Sequence, residues 1–217
     1  MPDPADLDLA ALREEYSTGG LVEDDLASDP ITMFRRWIDE ATAAGLHEPN
    51  AMVVATVSPE GRPSSRMVLL KGLGERGFVF FTNTASRKGL ELGANPACAL
   101  LFPWHPLERQ VRVDGTATPL AADEVAAYFS SRPRRSRLGA WASHQSREVA
   151  SRDELAESFA AMEERFSGEV PVPEEWGGYA VSPTAVEFWQ GRPGRMHDRL
   201  VYRRAESGAW NVVRLAP

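Results

Sequence analysis

The chain has 217 residues, 43% of them hydrophobic and 25% charged, with a formal net charge of −7. That is an ordinary globular composition with enough apolar material for one sizeable core. No run approaches the ~18–20 apolar residues of a membrane helix. The acidic start has no basic and apolar leader regions, and one cysteine, Cys98, excludes an internal disulfide or a cysteine-pair metal site.

The charge is unevenly spread. Residues 1–30 hold nine acids against one base, a local charge of −8, so the remaining 187 residues sum to about +1. This predicts an acidic, flexible N-terminal segment over 1–30 and a single domain over 31–217. Within the near-neutral body, Ser130–Arg137 carries four arginines in eight positions. Local positive pockets on a neutral body suit a small phosphorylated ligand better than a nucleic-acid backbone. Cys98 lies in an apolar run and reads as a small hydrophobe, and a reducing cytoplasm is the expected compartment.

In chain order, Asp29-Pro30 has the form of an N-cap followed by proline at the first helical position. Ile31, Phe34, Ile38 and Ala41, with Trp37, follow helical spacing as far as Gly45. Ala51–Val57 reads as a strand, Ser58–Gly61 as a turn, Arg66–Lys71 as a strand and Gly72–Gly77 as a loop. Gly77–Thr82 is the next strand. Ser86–Leu92 is a short helix ended by Asn95-Pro96, and Ala97–Phe102 and Glu108–Gly115 are further strands. A helix over 121–131 is broken by Arg132-Pro133. A second runs over Arg152–Phe166, and Val170–Pro173 is a stiff connector. Tyr179–Ser182, Ala185–Trp189, Leu200–Arg203 and Trp210–Leu215 complete the strands. Consecutive strands on short turns imply a mainly β, antiparallel, barrel-like sheet with flanking helices.

The stretch Glu187–Arg199 concentrates chemistry. If it is extended, Arg195, His197 and Arg199 share one face, which suits an anionic ligand that also needs a proton handled. A solvated basic turn fits the spacing equally well. Three other clusters have donors suited to an anion: Arg66 with Lys71; Ser86-Arg87-Lys88 at a helix start; and Tyr128, Arg132 and Ser136. Each alone also reads as a solvated face. Together they would serve two phosphates, one on a cofactor and one on a substrate. Arg66 and Lys71, five apart on one strand, should face opposite ways unless a bulge intervenes. Gln110 and Gln145-Ser146 suit a heterocycle edge or ordinary surface polarity, and Trp189 reads first as core. His47, His105 and His144 lack metal-ligand spacing. Dinucleotide, Walker and nucleophile-elbow motifs are absent.

Several blocks resemble the pyridoxamine 5′-phosphate oxidase family, flavin enzymes that make pyridoxal 5′-phosphate. They are Gly61–Lys71, Phe80–Asn83 with Ser86–Lys88, Leu101–Val111, Tyr128–Pro133, Gly139–Ser146, Trp176–Gly178, Glu187–Gly191, Arg195–Arg199 and Arg214–Pro217. Arg13–Tyr16 also resembles the family's N-terminal segment. The resemblance runs from about residue 30 to the last. It implies an FMN-binding split β-barrel and a homodimer with FMN at the subunit interface. By the resemblance, Arg66, Met67, Val68, Leu69, Leu70, Lys71, Phe81, Thr82, Arg87, Lys88, Gln110, Gln145, Ser146, Trp189 and Arg199 contact FMN. Lys71, Tyr128, Arg132 and Ser136 hold the substrate phosphate. Arg195, Met196 and His197 lie over the reacting side, Arg195 and His197 as the catalytic pair, and Arg13, Glu14, Glu15 and Tyr16 close over it. Phe81 stands where several relatives carry tyrosine, and Met196 where leucine is usual.

The implied reaction oxidises the amine-bearing carbon of pyridoxamine 5′-phosphate, or the alcohol carbon of pyridoxine 5′-phosphate, to the aldehyde, with dioxygen as acceptor and hydrogen peroxide released. Competing readings are a related flavin oxidase of a phenazine precursor, a non-catalytic flavin or pyridoxal-phosphate carrier, and a nucleic-acid binder using Arg132–Arg137.

Overall fold

The computed structural model describes Leu12, Glu15, Tyr16 and residues 19–217. Helix α1 spans Pro30–Ala43. The Asp29 carboxylate accepts from the backbone N–H groups of Ile31 and Thr32, both at 2.9 Å, satisfying two donors that a helix start leaves unpaired. The chain leaves the helix through Gly45 at φ +75°. Its buried face is Met33, Phe34, Trp37 and Ala41; Ile31 and Ile38, expected on the inner stripe, flank it half-buried.

Among the described residues, nine strands form one sheet: β1 (Ala51–Val57), β2 (Pro63–Leu69), β3 (Gly72–Gly74), β4 (Gly77–Asn83), β5 (Ala97–Trp104), β6 (Arg109–Pro119), β7 (Trp176–Gln190), β8 (Asp198–Arg204) and β9 (Trp210–Arg214). The order is β2-β1-β5-β6-β7-β4-β3, with β8 on β7 and β9 on β8. Every pairing is antiparallel. The loop expected over Gly72–Gly77 is instead a hairpin, β3 folding back on β4.

The strand pair expected at Tyr179–Ser182 and Ala185–Trp189 is one strand, β7. Its register against β6 shifts between Asp114 and Gly115, where Pro183 faces Gly115 and Thr184 is left over. Such a bulge accommodates a residue with no ladder donor without ending the strand. The first half of β7 pairs β4 and the second half pairs β8, while β6 runs along its other side.

Alternation puts Met52, Val54 and Thr56 of β1, and Val111, Val113 and Ala117 of β6, on the inner face. They pack with Phe34, Trp37, Phe78, Phe80, Phe102, Trp104 and Phe188 in the main core. Leu21, from the acidic segment, is 4% exposed in that core, and its N–H donates to Asp198 Oδ2 at 3.0 Å. The chain is therefore tied down well before residue 30.

Four more helices flank the sheet: α2 (Arg87–Ala94), α3 (Ala122–Ser131), α4 (Arg134–Ala142) and α5 (Arg152–Arg165). Helix α4 is not among the expected elements. With α5 it covers a second apolar cluster centred on Phe129, Leu138 and Val170. Three arginines of the basic run pack against this cluster and its surroundings. Arg134 donates to the Phe166 and Gly168 carbonyls, Arg135 lies over the Phe159 ring, and Arg132 over Trp176. Among the described residues, no helix is long and apolar enough to cross a membrane.

Candidate active site

Strand β2 lies at one edge of the sheet, where its side chains are free to face a ligand. Next to it, the start of α2 is set by Ser86, whose hydroxyl caps the helix at the Gly89 N–H. Helices α3 and α4 close the opposite wall. Between them is a cavity of about 800 Å³, lined by Arg66–Leu69, Lys71, Phe81–Asn83, Arg87, Lys88, Tyr128, Arg132, Ser136 and Gln145-Ser146. The three cation clusters expected outside the Glu187–Arg199 stretch thus share one space. Their separation in sequence is bridged by the sheet and the two-helix wall.

Arg66 and Lys71 line this cavity together, contrary to the parity expectation. Strand β2 ends at Leu69, so strand alternation does not extend to Lys71, whose N–H instead bonds the Val79 carbonyl at 2.8 Å. Leu70 is buried in the core rather than lining the cavity.

Lys88 is 5% exposed. Its Nζ donates to Gln145 Oε1 at 2.8 Å, Thr82 Oγ1 at 2.9 Å and Ser86 Oγ at 3.1 Å. All three acceptors are uncharged. Burial, with the nearby Arg66 charge, brings its pKa down to about 8. Arg66 donates to Thr56 Oγ1 at 2.6 Å and lies 3.4 Å from the Glu91 carboxylate. Burial would raise the Glu91 pKa, but hydrogen bonds from Ser64, Thr56 and Arg87 outweigh it and hold the carboxyl at about 2. On the other wall, Tyr128 stacks on Phe81 with ring centroids 3.8 Å apart and planes 11° from parallel. A side chain at Gly178 would run into Phe81, with its Cβ 2.8 Å from Cδ1.

The C-terminal stretch is not extended. Pro193–Arg195 is a 3-10 turn, with Gly194 at φ +63° and Arg195 at φ +62°. The left-handed conformation is uncommon for a residue with a side chain. Arg195, His197 and Arg199 therefore do not form the single strand face expected from their spacing. Arg195 and Met196 are exposed. His197 packs against Trp189, with centroids 4.7 Å apart, and its Nδ1 accepts from the Arg192 N–H at 3.1 Å. Tyr16 meets both rings, at 5.9 Å from Trp189 and 5.5 Å from His197, and Glu15 accepts from the Gly194 N–H at 2.8 Å. Arg13 and Glu14 lie outside the described residues.

Gln110, Trp189 and Arg199 form a row across β6, β7 and β8. They lie opposite the inward Val111 and Phe188, since neighbouring strand residues face opposite ways. Arg199 is held by Glu187 through a two-point contact at 2.8 and 3.1 Å, which raises its pKa.

This row is not part of the cavity. Phe81 pairs with Gly178 of β7, and Trp189 lies eleven residues further along the same strand. At about 3.3 Å per residue that is roughly 36 Å of strand. Ser64, Ser65, Asn83, Gly139, Ala140, Ser143 and Trp176 also line the cavity; all lie within the blocks that carry the family resemblance, but none is assigned a role there. Most are small or uncharged and carry no signal by type.

Residues 38–169 match the family model described as pyridoxamine 5′-phosphate oxidase, and residues 176–217 match one described as the pyridoxine 5′-phosphate oxidase C-terminal dimerisation region. A pyridoxine/pyridoxamine 5′-phosphate oxidase of Nocardioides sp. is 66% identical over 97% of this chain and 99% of its own length. One from Rubrobacter xylanophilus is 58% identical over the full length of both. Among solved structures, PhzG from Burkholderia lata in complex with tetrahydrophenazine-1-carboxylic acid superposes with a TM-score of 0.85. It is 34% identical and covers 89% of this chain and 95% of its own. A pyridoxamine 5′-phosphate oxidase-related, FMN-binding protein from Nostoc punctiforme, 18% identical, shares the fold with a TM-score of 0.69 over 88% of this chain and all of its own. The fold is thus the antiparallel split barrel, and the chain belongs to the pyridoxamine 5′-phosphate oxidase family.

Proposed function

We propose that the protein is an FMN-dependent oxidase that converts pyridoxamine 5′-phosphate, and pyridoxine 5′-phosphate, to pyridoxal 5′-phosphate in vitamin B6 biosynthesis or salvage. Dioxygen is the acceptor and hydrogen peroxide is released. The observation that carries this reading is one cavity lined by five cations drawn from separate segments, Arg66, Lys71, Arg87, Lys88 and Arg132. A phosphorylated cofactor and a phosphorylated substrate would together use them. We assign it to the cytoplasm.

The residues fit FMN. Lys88 is a buried cation with only neutral acceptors and a lowered pKa, a state that an entering phosphate relieves. Arg66 and Arg87 border the same space. Gln145 and Ser146 supply uncharged groups for the heterocycle edge. FMN, when bound, supplies the two-electron acceptor and the reactivity with dioxygen.

The second half of the site belongs to a partner chain in this reading. Trp189 stands about 36 Å of strand away from the Phe81 level, too far for one FMN to touch both within a chain. A two-fold homodimer brings Gln110, Trp189 and Arg199 of one chain to the cavity of the other, so FMN lies at the interface. The matched dimerisation region, 176–217, carries two of these three residues.

The remaining roles are those the family resemblance implies. Lys71, Tyr128, Arg132 and Ser136 hold the substrate phosphate. Two anchored phosphates set the substrate ring against the flavin, an orientation effect. Arg195 stands at the reacting carbon and stabilises the charge that changes there. His197 accepts a backbone N–H at Nδ1, which leaves the proton of the neutral ring on Nε2. Glu15 and Tyr16 pack on this turn.

The purified protein is expected to be yellow. Anaerobic pyridoxamine 5′-phosphate should bleach the flavin band with stoichiometric formation of pyridoxal 5′-phosphate and ammonia, and air should restore the band with stoichiometric peroxide. A colourless protein that stays inactive with added FMN would sink the proposal. The likeness to PhzG supports a second reading, oxidation of a phenazine precursor. The shared placement of Tyr128, Arg132 and Ser136 at one wall favours the phosphorylated substrate, and turnover of the two substrates side by side decides between them.

A further inference from the structure

Arg132 is held differently from the other cavity arginines. Arg66 has Glu91 beside it and Arg87 is paired with the same carboxylate. Arg132 has no carboxylate within ion-pair distance among the described residues, and its Nη1 is buried without a hydrogen-bond partner. What it has instead is aromatic surface. Its guanidinium carbon lies 4.1 Å from the centroid of Trp176 and 5.7 Å from that of Phe129. Those two rings meet edge to face, with centroids 5.7 Å apart. Trp176 is the first residue of β7 and pairs with Asn83, so the ring is fixed by the sheet. The Arg132 backbone is fixed too, closing α3 through its N–H to the Phe129 carbonyl just before Pro133.

We propose that Trp176 is a positioning residue for Arg132, a platform that orients the guanidinium toward a phosphate monoester without competing for it. A guanidinium carries its five N–H donors in its own plane. A carboxylate partner would occupy those donors and would have to be displaced by an incoming phosphate. A ring under the flat face holds the group by cation–π attraction and leaves the in-plane donors available. Burial lowers the Arg132 pKa, opposed by Tyr128, so the site stores a desolvated cation that an anion relieves. Pre-orienting the fork lowers the ordering cost that binding must meet. The identification of the ligand as the substrate phosphate rests on the oxidase reading above; the platform itself does not.

The test uses FMN-loaded dimers of the full chain: wild type, Trp176→Phe, Trp176→Leu, Arg132→Ala and the Trp176/Arg132 double variants. Steady-state constants are measured for pyridoxamine 5′-phosphate and for unphosphorylated pyridoxamine. W176L is expected to raise KM for the phosphorylated substrate about tenfold and W176F about threefold. The effect should fall on KM rather than kcat, FMN content should not change, and the unphosphorylated substrate should show no such loss. The penalty of R132A should shrink in the W176L background, because the two residues act through one contact. Equal penalties of R132A in both backgrounds, or equal losses for both substrates, would overturn the proposal. If W176L fails to fold by circular dichroism, the same criteria apply to W176F. If the wild type does not turn over pyridoxamine 5′-phosphate, the oxidase reading fails and the platform is judged by inorganic phosphate. Phosphate binding weakened by W176L, with a smaller further loss on adding R132A than R132A causes alone, supports it, and binding indifferent to Trp176 overturns it.

Discussion

Lys88 Nζ donates to Gln145 Oε1 at 2.8 Å, joining the start of α2 to the loop after α4 across the mouth of the cavity. The bond puts a buried cation where a phosphate is expected, and burial, with the nearby Arg66 charge, brings the lysine pKa down to about 8. The unfolded chain, with an ordinary lysine near 10.5, binds more protons between those two values. Stability of the cofactor-free protein should therefore rise as pH increases through that window. FMN affinity should move the other way, because binding needs the charged form. Titration of apoprotein with FMN should give a Kd about tenfold weaker at pH 9 than at pH 7, and Lys88→Met should flatten that dependence while weakening binding at both values. A pH-independent Kd in the wild type would contradict the assignment.

The distance along β7 between the Phe81 level and Trp189 makes a complementation prediction. Lys88→Ala and Arg199→Ala should each be nearly inactive as homodimers. Mixed and re-equilibrated in equal amounts, half the dimers carry one chain of each kind, and each such dimer holds one intact site. Activity should recover to about a quarter of wild type by two-fold statistics. A mixture no more active than its parents would place both halves of the site in one chain.

Glu91 anchors the phosphate wall from below. Its carboxylate receives Thr56, Ser64 and Arg87 and lies beside Arg66. Because its folded pKa lies near 2, below the ordinary 4.5, its stabilisation is present above about pH 4.5 and is lost as pH falls toward 2. Glu91→Gln should cost roughly 3 kcal/mol at neutral pH by leaving Arg66 without its countercharge. It should also remove the acid-side slope from urea denaturation curves measured between pH 5 and pH 3.

Gly89 follows Lys88 in α2, and a Cβ there would lie 2.1 Å from the Thr84 carbonyl oxygen. A backbone oxygen cannot rotate away, so the helix must shift. Gly89→Ala should destabilise by about 1–3 kcal/mol and lower FMN affinity, because the same shift moves Lys88. Gly93→Ala, where a Cβ meets nothing within 4 Å, is the control and should be neutral or mildly stabilising.

Much of the architecture is written locally. Asp29-Pro30 specifies the start of α1 by its own hydrogen-bonding chemistry, β1 runs over the Ala51–Val57 span read from its composition, and alternation in β6 assigns Val111 and Val113 inward. The residue types of an anion site are legible as well, since arginines, lysine and tyrosine announce themselves. Other features were not legible. Strand parity separates Arg66 from Lys71 only while the strand lasts, and it ends at Leu69. Helix α4 hides behind Pro133 and a run of arginines, whose partners are carbonyls and rings distant in sequence. The Arg195 turn is held left-handed against Glu15, 179 residues away in sequence. Local rules describe what a segment prefers by itself. Which segments share a cavity, and that Trp189 does not share it with Phe81, depends on sheet pairing, and pairing is settled by contacts between residues far apart in the chain.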